Sequence, residues 1–464
     1  EPSRAEDVLK RLARVGTGRD LRFLSPTDLV ALGKALLLLG EEPRLVLDQI
    51  FNRALKNDPN CLEAYLAAGD LALAKQDYEL AADQYRNALK RFGKDPDAHY
   101  GLARAFYPSD RRSMVESLDA ALHVNPHHAP ALILLAEHHI DCEDYERATG
   151  LLERVISVNP WHPEAWAYRS VLAYLANDPN TSKDYRDKAL KCRPNNPQVD
   201  YLIGRKLSQK YRFAEGAAYQ RQALKFDSGY LPAKIQLAQD LLRLGQEQEG
   251  WAMADEVHNH DAYNIEAYNL ASLRDNLSKF RTLKADGFTI RMDELEAGVY
   301  GDHVLKLLQE AKSELCRKYG LELSRTVTVE LFANQQDFAV RTFGMPGGEG
   351  FLGVCFGDVI TANSPRVEIP SNWHSMLWHE FCHVVTLNLT HNKMPRWLSE
   401  GISVYEELQR NPTWGQHITP DYRRMILGEE LTPISELSGA FLNPPDPMHL
   451  QFAYYESSLV VEFL

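Results

Sequence analysis

The sequence predicts an α-solenoid followed by an α+β domain, and two observations support this fold class. Similar segments recur about every 34 residues through the first half of the chain, which is the period of a repeated helix pair. After about residue 272 this rhythm ends, and short strand patterns alternate with helical ones. We therefore expect a capping helix over residues 1–23, a repeat array over residues 24–272 and a second domain over residues 280–464.

Prolines mark the ends of the predicted repeat units. One full period separates Asn125-Pro126 from Asn159-Pro160, and Pro194 follows Pro160 after one more. Proline cannot continue a helix, so each of these positions predicts a break between units. The segments between the breaks also repeat, as in Asp77–Ala81, Asp144–Ala148 and Phe213–Ala217. Each helix pair exposes an apolar face that only a stacked neighbour can bury, so we expect about six units side by side.

A 34-residue period of paired helices resembles the tetratricopeptide repeat. The resemblance implies a surface that binds a peptide or a protein partner. The alternative is a rigid spacer that only holds the second domain. Tyr145, Trp161 and Trp166 are interpreted as packing residues, and the sequence singles out no ligand-binding residue in the array.

Strand and helix patterns follow one another in a definite order in the second domain. They are a strand at Phe288–Arg291, a helix at Gly301–Tyr319, a strand at Val327–Phe332, a hairpin at Val354–Phe356 and Val359–Ala362, a helix around Trp378–Leu389 and a helix at Arg396–Gln409. Gly320 is placed to end the first of these helices and Pro395 to begin the last.

The predicted apolar helix around Trp378–Leu389 carries the motif H-E-x-x-H, at His379-Glu380-Phe381-Cys382-His383. Residues four apart share a helix face, so His379 and His383 can converge on one metal ion, with Glu380 beside them to handle protons. Glu400 lies 17 positions after His383 and is the candidate third ligand. Two nitrogens and one carboxylate oxygen leave one position of a tetrahedral Zn²⁺ open for water, as a hydrolase requires. We therefore predict one Zn²⁺ as the cofactor.

Segment Trp397-Leu398-Ser399-Glu400-Gly401 resembles the W-L-x-E-G segment of neutral aminopeptidases, and the order of elements resembles the N-terminal lobe of thermolysin-like zincins. More broadly, residues 280–464 resemble the peptidase-MA-like gluzincin domains that occur beside tetratricopeptide repeats in bacteria. The resemblance implies a zinc metallopeptidase that acts on a peptide or protein substrate, with Glu380 as the general base. It also implies that an edge strand within Gly353–Asn363 pairs with the substrate.

The resemblance to neutral aminopeptidases further implies a tyrosine that assists the reaction, in a Y-x-x-G-like segment. Tyr454-Tyr455-Glu456-Ser457 is similar, with Ser in place of Gly. Tyr454 is the preferred catalytic tyrosine and Tyr455 its rival, and the alternative is that either ring only packs against the helices.

One position departs from the thermolysin pattern. An Asp four residues after the third ligand orients a zinc histidine there, whereas Val404 stands at that place here. We expect Ser403 or a backbone carbonyl to substitute. No segment that would anchor a free substrate amine was identified, so endopeptidase and aminopeptidase activity both stay open.

Composition excludes several other classes of function. A net charge of −13 argues against nucleic acid as the main partner, and no apolar run is long enough for a membrane span. The six cysteines form no C-x-x-C pair, and Cys382 is interpreted as a small buried apolar residue. The chain begins Glu1-Pro2 and ends within a helical pattern, so we expect a piece of a longer protein, truncated at its C-terminus.

The sequence therefore predicts a zinc-dependent peptidase whose repeat array recruits its substrate or a protein partner. The alternative is an adaptor in which the repeats carry the function and the metal-binding fold is not catalytic. His374, His391 and His417 lack the spacing of ligands and are interpreted as surface or loop residues.

Overall fold

The computed structural model describes residues 2–18, 21–348, 350–368, 371–428 and 430–464. It divides into two compact units. The first holds Glu1–Glu137, Gly150–Pro160 and Asp261–Ile265, and the second holds His138–Thr149, Trp161–His260 and Glu266–Leu464. Within the described ranges, no helix combines the length and the apolar content that crossing a membrane requires.

Helices occupy the chain up to Leu277. They are α1 (Pro2–Gly18), α2 (Pro26–Leu38), α3 (Pro43–Val46), α4 (Asn52–Asn57), α5 (Leu62–Ala74), α6 (Tyr78–Arg91), α7 (Pro96–Phe106), α8 (Arg111–Val124), α9 (Ala129–Asp141), α10 (Tyr145–Val158), α11 (Pro163–Leu175), α12 (Pro179–Ala189), α13 (Pro197–Gln209), α14 (Phe213–Phe226), α15 (Leu231–Arg243), α16 (Glu247–His260) and α17 (Ile265–Leu277). Of the capping segment predicted over residues 1–23, α1 and a 3₁₀ turn at Leu21–Phe23 are described, while residues 1, 19 and 20 lie outside the described residues.

Local sequence explains where these helices begin and end. Aspartate side chains accept a hydrogen bond from the backbone N–H three residues on and so cap several helices, at Asp77, Asp95, Asp110, Asp144 and Asp178. The marker residues Pro126, Pro160 and Pro194 all lie in turns between helices, as predicted.

The turn inside each helix pair has a recurring backbone conformation. Glu143, Asn177, Tyr211 and Gly245 follow one another at the repeat period, and each has a positive φ, of 65°, 60°, 63° and 72° respectively. Each of them stands two residues after the first helix of its pair. The period of the sequence is therefore also a period of backbone geometry.

Within the second unit, this row of turns lies against the α+β region. Ser438 donates a hydrogen bond from Oγ to Glu143 at 2.7 Å, and Lys393 donates one from Nζ to Asn177 at 3.3 Å. Arg212, next to Tyr211, donates to the carbonyl oxygen of His391 at 2.7 Å. Polar contacts from successive turns thus fix the helix pairs to the region that follows them.

The α+β region alternates strands and helices. Its elements are β1 (Phe280–Ala285), β2 (Phe288–Asp293), α18 (Glu294–Tyr319), β3 (Val327–Phe332), α19 (Gln335–Phe343), β4 (Gly353–Cys355), β5 (Val359–Asn363), α20 (Trp373–Thr390), α21 (Arg396–Arg410), α22 (Pro420–Leu427), α23 (Leu437–Ala440) and α24 (Pro447–Phe463).

The strands form one mixed sheet in the order β1-β2-β3-β5-β4. β2, β3 and β5 run parallel, while β1 and β4 pair antiparallel with their neighbours at the two edges. Apolar side chains of the sheet, such as Val329 and Ile360, share one buried cluster with Leu308 of α18 and Phe381 of α20. The sheet and α18 therefore fix α20 through its apolar faces.

Every strand and helix predicted in this region is present, and the structure adds elements that were not predicted. β1, α19, α22 and α23 were not predicted, and α18 begins at Glu294 rather than at the predicted Gly301. The side chain of Asp293 accepts hydrogen bonds from the N–H groups of Leu295 and Glu296, and this cap starts α18 seven residues early. Asn334 caps α19 in the same way.

Candidate metal centre

Two neighbouring helices bring the predicted ligands together. α20 carries His379 and His383, and α21 carries Glu400. The Nε2 atoms of the two histidines are 3.1 Å apart, and Oε2 of Glu400 lies 3.2 Å from Nε2 of His379 and 3.3 Å from Nε2 of His383. In the described part of the chain, this is the one group of three or more His, Cys, Asp or Glu residues close enough to hold a metal ion.

The spacing of the three ligand atoms suits zinc. Ligand atoms about 2.1 Å from a tetrahedral Zn²⁺ are separated from each other by about 3.4 Å. The observed separations of 3.1–3.3 Å are close to this value. Two imidazole nitrogens and a carboxylate oxygen that face one another also require a cation or a proton between them. The residues therefore fit a Zn²⁺ ion.

Hydrogen bonds on the far side of each imidazole orient its ring, and the one to Glu407 also sets the tautomer of neutral His379. Nδ1 of His379 lies 2.6 Å from Oε1 of Glu407, and a carboxylate can only accept, so Nδ1 carries the hydrogen. Nδ1 of His383 lies 2.9 Å from Oγ of Ser399 and 3.3 Å from Oγ of Ser403. Both rings consequently present Nε2 to Glu400, the third candidate ligand.

Glu407 is a site residue that the sequence interpretation missed. Ser403, the expected substitute for the Asp of thermolysin, contacts His383, and the group on His379 is Glu407 instead. A signal was available, because Glu407 follows Glu400 by seven residues, or two helical turns, and so lies on the same face of α21.

Glu380 is buried beside the ligands, with 6% of its surface exposed. Among the described residues its Oε2 has no hydrogen-bond partner. Burial raises the pKa of Glu380, and the nearby carboxylates of Glu400 and Glu407 add to the effect, while the two histidines oppose it. A carboxylate in this position can accept a proton from a group that enters the site.

The electrostatics of the ligands are those of a tightly coupled cluster. Burial disfavours a charged His379, but its hydrogen bonds to Glu400 and Glu407 outweigh burial and raise its pKa well above the usual value. Burial likewise opposes ionisation of Glu400, yet the histidines lower the pKa of that carboxyl well below its usual range. The carboxylate is therefore ionised, which is the form that binds a metal ion.

The edge strand β4 runs alongside Glu380. A Cβ added at Gly353 would lie 2.8 Å from Cγ and from Oε1 of Glu380, so only glycine leaves room for this side chain. β4 is the edge of the sheet, whereas β5 lies between β3 and β4. Of the segment Gly353–Asn363 predicted to supply an edge strand, Gly353–Cys355 is the part that lies at the edge.

The two candidate tyrosines of α24 have different surroundings. Burial raises the pKa of Tyr454, and the charges of Glu400 and Glu380 raise it further, while Arg396 opposes them. The ring of Tyr454 also packs edge-on against Phe441 at 4.9 Å. Tyr455 instead stacks on Tyr422 at 5.2 Å in a separate apolar cluster. Tyr454 is therefore the tyrosine of this pair that shares the electrostatic environment of the ligands.

A close helix contact positions α24. A Cβ at Gly401 of α21 would lie 2.5 Å from the carbonyl oxygen of Ser457 on α24, so the two backbones approach within the space that glycine leaves. This contact holds the helix that carries Tyr454 against the helix that carries Glu400.

The remaining candidates lie outside the cluster. His374 stacks on Trp373 at 3.6 Å, and His391 and His417 are exposed. Cys382 is fully buried and free, and burial raises the pKa of its thiol, which fits its interpretation as a small apolar residue.

Comparison with known proteins identifies the repeats. Tetratricopeptide repeat families match residues 49–86, 66–113 and 115–172. Anaphase-promoting complex subunit 3 of Schizosaccharomyces pombe is 21% identical over 159 residues, which are 34% of this chain and 24% of that protein. The chain thus spans about a quarter of the length of that relative.

The chain is also similar to solved structures. The anaphase-promoting complex hetero-tetramer Cut9-Hcn1 matches at 15% identity and a TM-score of 0.37, covering 57% of this chain and 52% of that one. A tetratricopeptide repeat protein from Parabacteroides merdae matches at 13% identity and a TM-score of 0.37, covering 58% and 98%. The family matches show tetratricopeptide repeats across about residues 49–172, and the comparisons lend no support to a peptidase.

Proposed function

We propose that this chain is a zinc-dependent peptidase of the gluzincin type, in which the repeat array binds the substrate or a protein partner. The observation that carries the proposal is the convergence of His379, His383 and Glu400 to within 3.3 Å of one another, with Glu380 buried alongside. Closed structural zinc sites use four protein ligands, whereas three ligands leave a position for a reacting group.

Each residue would have a distinct part in peptide hydrolysis. His379, His383 and Glu400 would hold the ion, which when bound supplies Lewis acidity and an activated water molecule. Glu380 would accept a proton from the attacking water and deliver it to the leaving amine. Tyr454 would donate a hydrogen bond to the scissile carbonyl oxygen as negative charge develops there.

The substrate would be an extended peptide segment. β4 is a sheet edge beside Glu380, and an unpaired edge can bind an extended peptide as an additional strand. Main-chain pairing of this kind recognises any peptide backbone, so selectivity would come from the side-chain contacts or from the repeats.

A second candidate is a protein–protein interaction adaptor in which the metal-binding region does not catalyse. Tetratricopeptide repeats suggest protein partners, and the comparisons favour this role over catalysis. In an adaptor the repeats would bind the partner, and the buried Glu380 would have only a structural part.

Cleavage of a denatured-protein mixture by zinc-loaded wild type and by Glu380→Gln distinguishes the two functions. A peptidase predicts that the wild type cleaves and that the variant retains zinc but loses at least about 10²-fold in rate. An adaptor predicts that neither protein cleaves although both hold zinc. Equal cleavage by the two proteins would contradict the role of Glu380 as the base. It would point instead to a contaminating protease, which the substitution does not affect.

A further inference from the structure

Tyr211 has a side chain that its backbone position does not favour. It occupies the turn of its helix pair with φ of 63°, where the neighbouring pairs have Asn177 and Gly245. Glycine and asparagine adopt this left-handed conformation readily, whereas a bulky aromatic residue seldom does. Glu143 takes the same conformation at its own turn, but the aromatic ring makes Tyr211 the bulkiest residue of the series. Residues held in such a conformation against their preference concentrate at functional sites, which makes Tyr211 a candidate for a functional role.

The ring of Tyr211 lies against the α+β region rather than in the repeat core. It packs against Phe213 at 5.3 Å and contacts the apolar cluster that includes Cys355 of β4 and Phe381 of α20. Phe381 directly follows Glu380, and Cys355 belongs to the strand that borders it. Tyr211 therefore extends from its helix pair toward the elements that carry the metal centre.

The charges around the phenol are those of the candidate site. Burial raises the pKa of Tyr211, and the carboxylates of Glu400 and Glu380 contribute, while Arg396 opposes them. The same three side chains act on Tyr454, and so does Tyr211 itself. Both phenols are thus neutral and can donate a hydrogen bond.

We propose that Tyr211 is a second hydrogen-bond donor of the metal centre, which acts with Tyr454 on the scissile carbonyl oxygen of the substrate. This inference rests on the proposed peptidase function. Its consequence is that the helix pairs contribute a catalytic residue, so the repeat array and the metal-binding region form one catalytic unit rather than a binding module joined to an enzyme.

The test uses the full chain with Tyr211→Phe, which keeps the ring and removes only the hydroxyl. Tyr230→Phe is the matched control, because Tyr230 is a partly buried tyrosine of the same array whose ring packs on Tyr201. A third variant, Tyr211→Asn, places at this turn the residue type found at Asn177 and so suits the backbone while removing the phenol.

Four quantities are measured for each variant. They are zinc per chain, kcat and KM for cleavage of fluorescein-labelled casein, and the Kd of acetohydroxamate for the cobalt-substituted protein, followed by visible absorption. Losing one donor to a developing oxyanion lowers kcat by about 10²–10³-fold, and with Tyr454 still present we expect a loss of at least about tenfold. One lost neutral hydrogen bond should raise the acetohydroxamate Kd by about fivefold.

The proposal predicts that Tyr211→Phe retains zinc and KM, loses kcat and binds acetohydroxamate more weakly, with Tyr230→Phe unchanged. Tyr211→Asn should show the same losses in kcat and in acetohydroxamate binding while it retains zinc. Wild-type kcat and Kd in Tyr211→Phe would overturn the proposal, as would a loss of activity that merely follows a loss of zinc. If neither the wild type nor any variant cleaves casein, the peptidase proposal fails. The acetohydroxamate titration then decides by itself whether Tyr211 faces the metal centre.

Discussion

Glu407 accepts a hydrogen bond at 2.6 Å from Nδ1 of His379, which joins α21 to α20 behind the candidate metal ligands. Ser375 donates a hydrogen bond to the other oxygen of the same carboxylate. A carboxylate behind a ligating histidine fixes the orientation of the ring and raises the basicity of the ligand nitrogen. The pair thus prepares Nε2 of His379 for a metal ion.

Glu407→Gln should weaken zinc binding by about 10- to 100-fold, because a neutral amide orients and polarises the imidazole less than a carboxylate does. Competition with a chelator measures the zinc Kd. Glu406→Gln is the matched control, since Glu406 is equally buried but accepts hydrogen bonds from Lys318 and Tyr319 instead. Comparable zinc Kd values for the two variants would contradict the role assigned to Glu407.

Gly353→Ala should impair catalysis without removing zinc. The new Cβ would lie 2.8 Å from Cγ of Glu380, so the carboxylate must move away from its position. A displacement of about 1 Å in a catalytic group can lower the rate by about 10²-fold, and we expect at least tenfold in kcat/KM. Gly350→Ala, where an added Cβ meets no atom within 4 Å, should behave as wild type.

Gly401→Ala should destabilise the fold by about 1–3 kcal/mol, because its Cβ would overlap the Ser457 carbonyl and force α21 and α24 apart. Urea unfolding measures the loss. Gly298→Ala tests the opposite case, since this exposed glycine within α18 has no atom within 4 Å of an added Cβ. The free energy of unfolding of Gly298→Ala should rise by up to about 1 kcal/mol, because alanine favours a helix more than glycine does. A similar decrease in both variants would show that the close contact at Gly401 is not the cause.

Asp240 should make stability depend on pH. It is fully buried, with Ser208, Gln236 and Arg243 as its polar neighbours. Burial raises its pKa to about 7, although Arg243 opposes the change. The unfolded chain ionises this group near its ordinary pKa of about 3.9, so between these values the folded state holds the extra proton. This contribution to stability therefore decreases as pH rises toward 7 and is constant above it.

Asp240→Asn removes this titration and isolates its effect. The unfolding free energy of the variant minus that of the wild type should rise by roughly 1–3 kcal/mol from pH 5 to pH 8. Urea unfolding of both proteins at the two pH values gives this difference. A difference independent of pH would mean that Asp240 keeps its charge throughout this range.

Local pattern was sufficient for much of the fold and for the core of the candidate site. The helix period, the Asn-Pro breaks and the alternation of β3 are local signals, and His379 and His383 share a face because they are four residues apart on α20. Glu400 could be proposed from its neighbours in sequence. β1 was missed because its exposed faces carry Arg281 and Lys284, so its apolar alternation is weak.

Tertiary contacts account for what the sequence could not provide. Tyr211 lies far before His379 in the chain, and no spacing rule connects a repeat turn with a helix in another fold. Its positive φ is known only from the structure, where the equivalent turns at Asn177 and Gly245 have the same conformation. The choice between Tyr454 and Tyr455 likewise depended on how α24 is rotated against α21, which the close contact at Gly401 determines.

Zinc stoichiometry, measured by plasma mass spectrometry after loading and extensive dialysis, tests the metal centre most directly. We expect about one zinc per chain in the wild type and in Glu380→Gln, and none in His383→Ala or Glu400→Ala, because three protein ligands are needed to retain the ion. Glu380→Gln serves as the matched variant, since it alters a buried carboxylate of the same site that is not a ligand. A wild-type chain that retains no zinc, or a Glu400→Ala variant that retains as much as the wild type, would contradict the proposed centre.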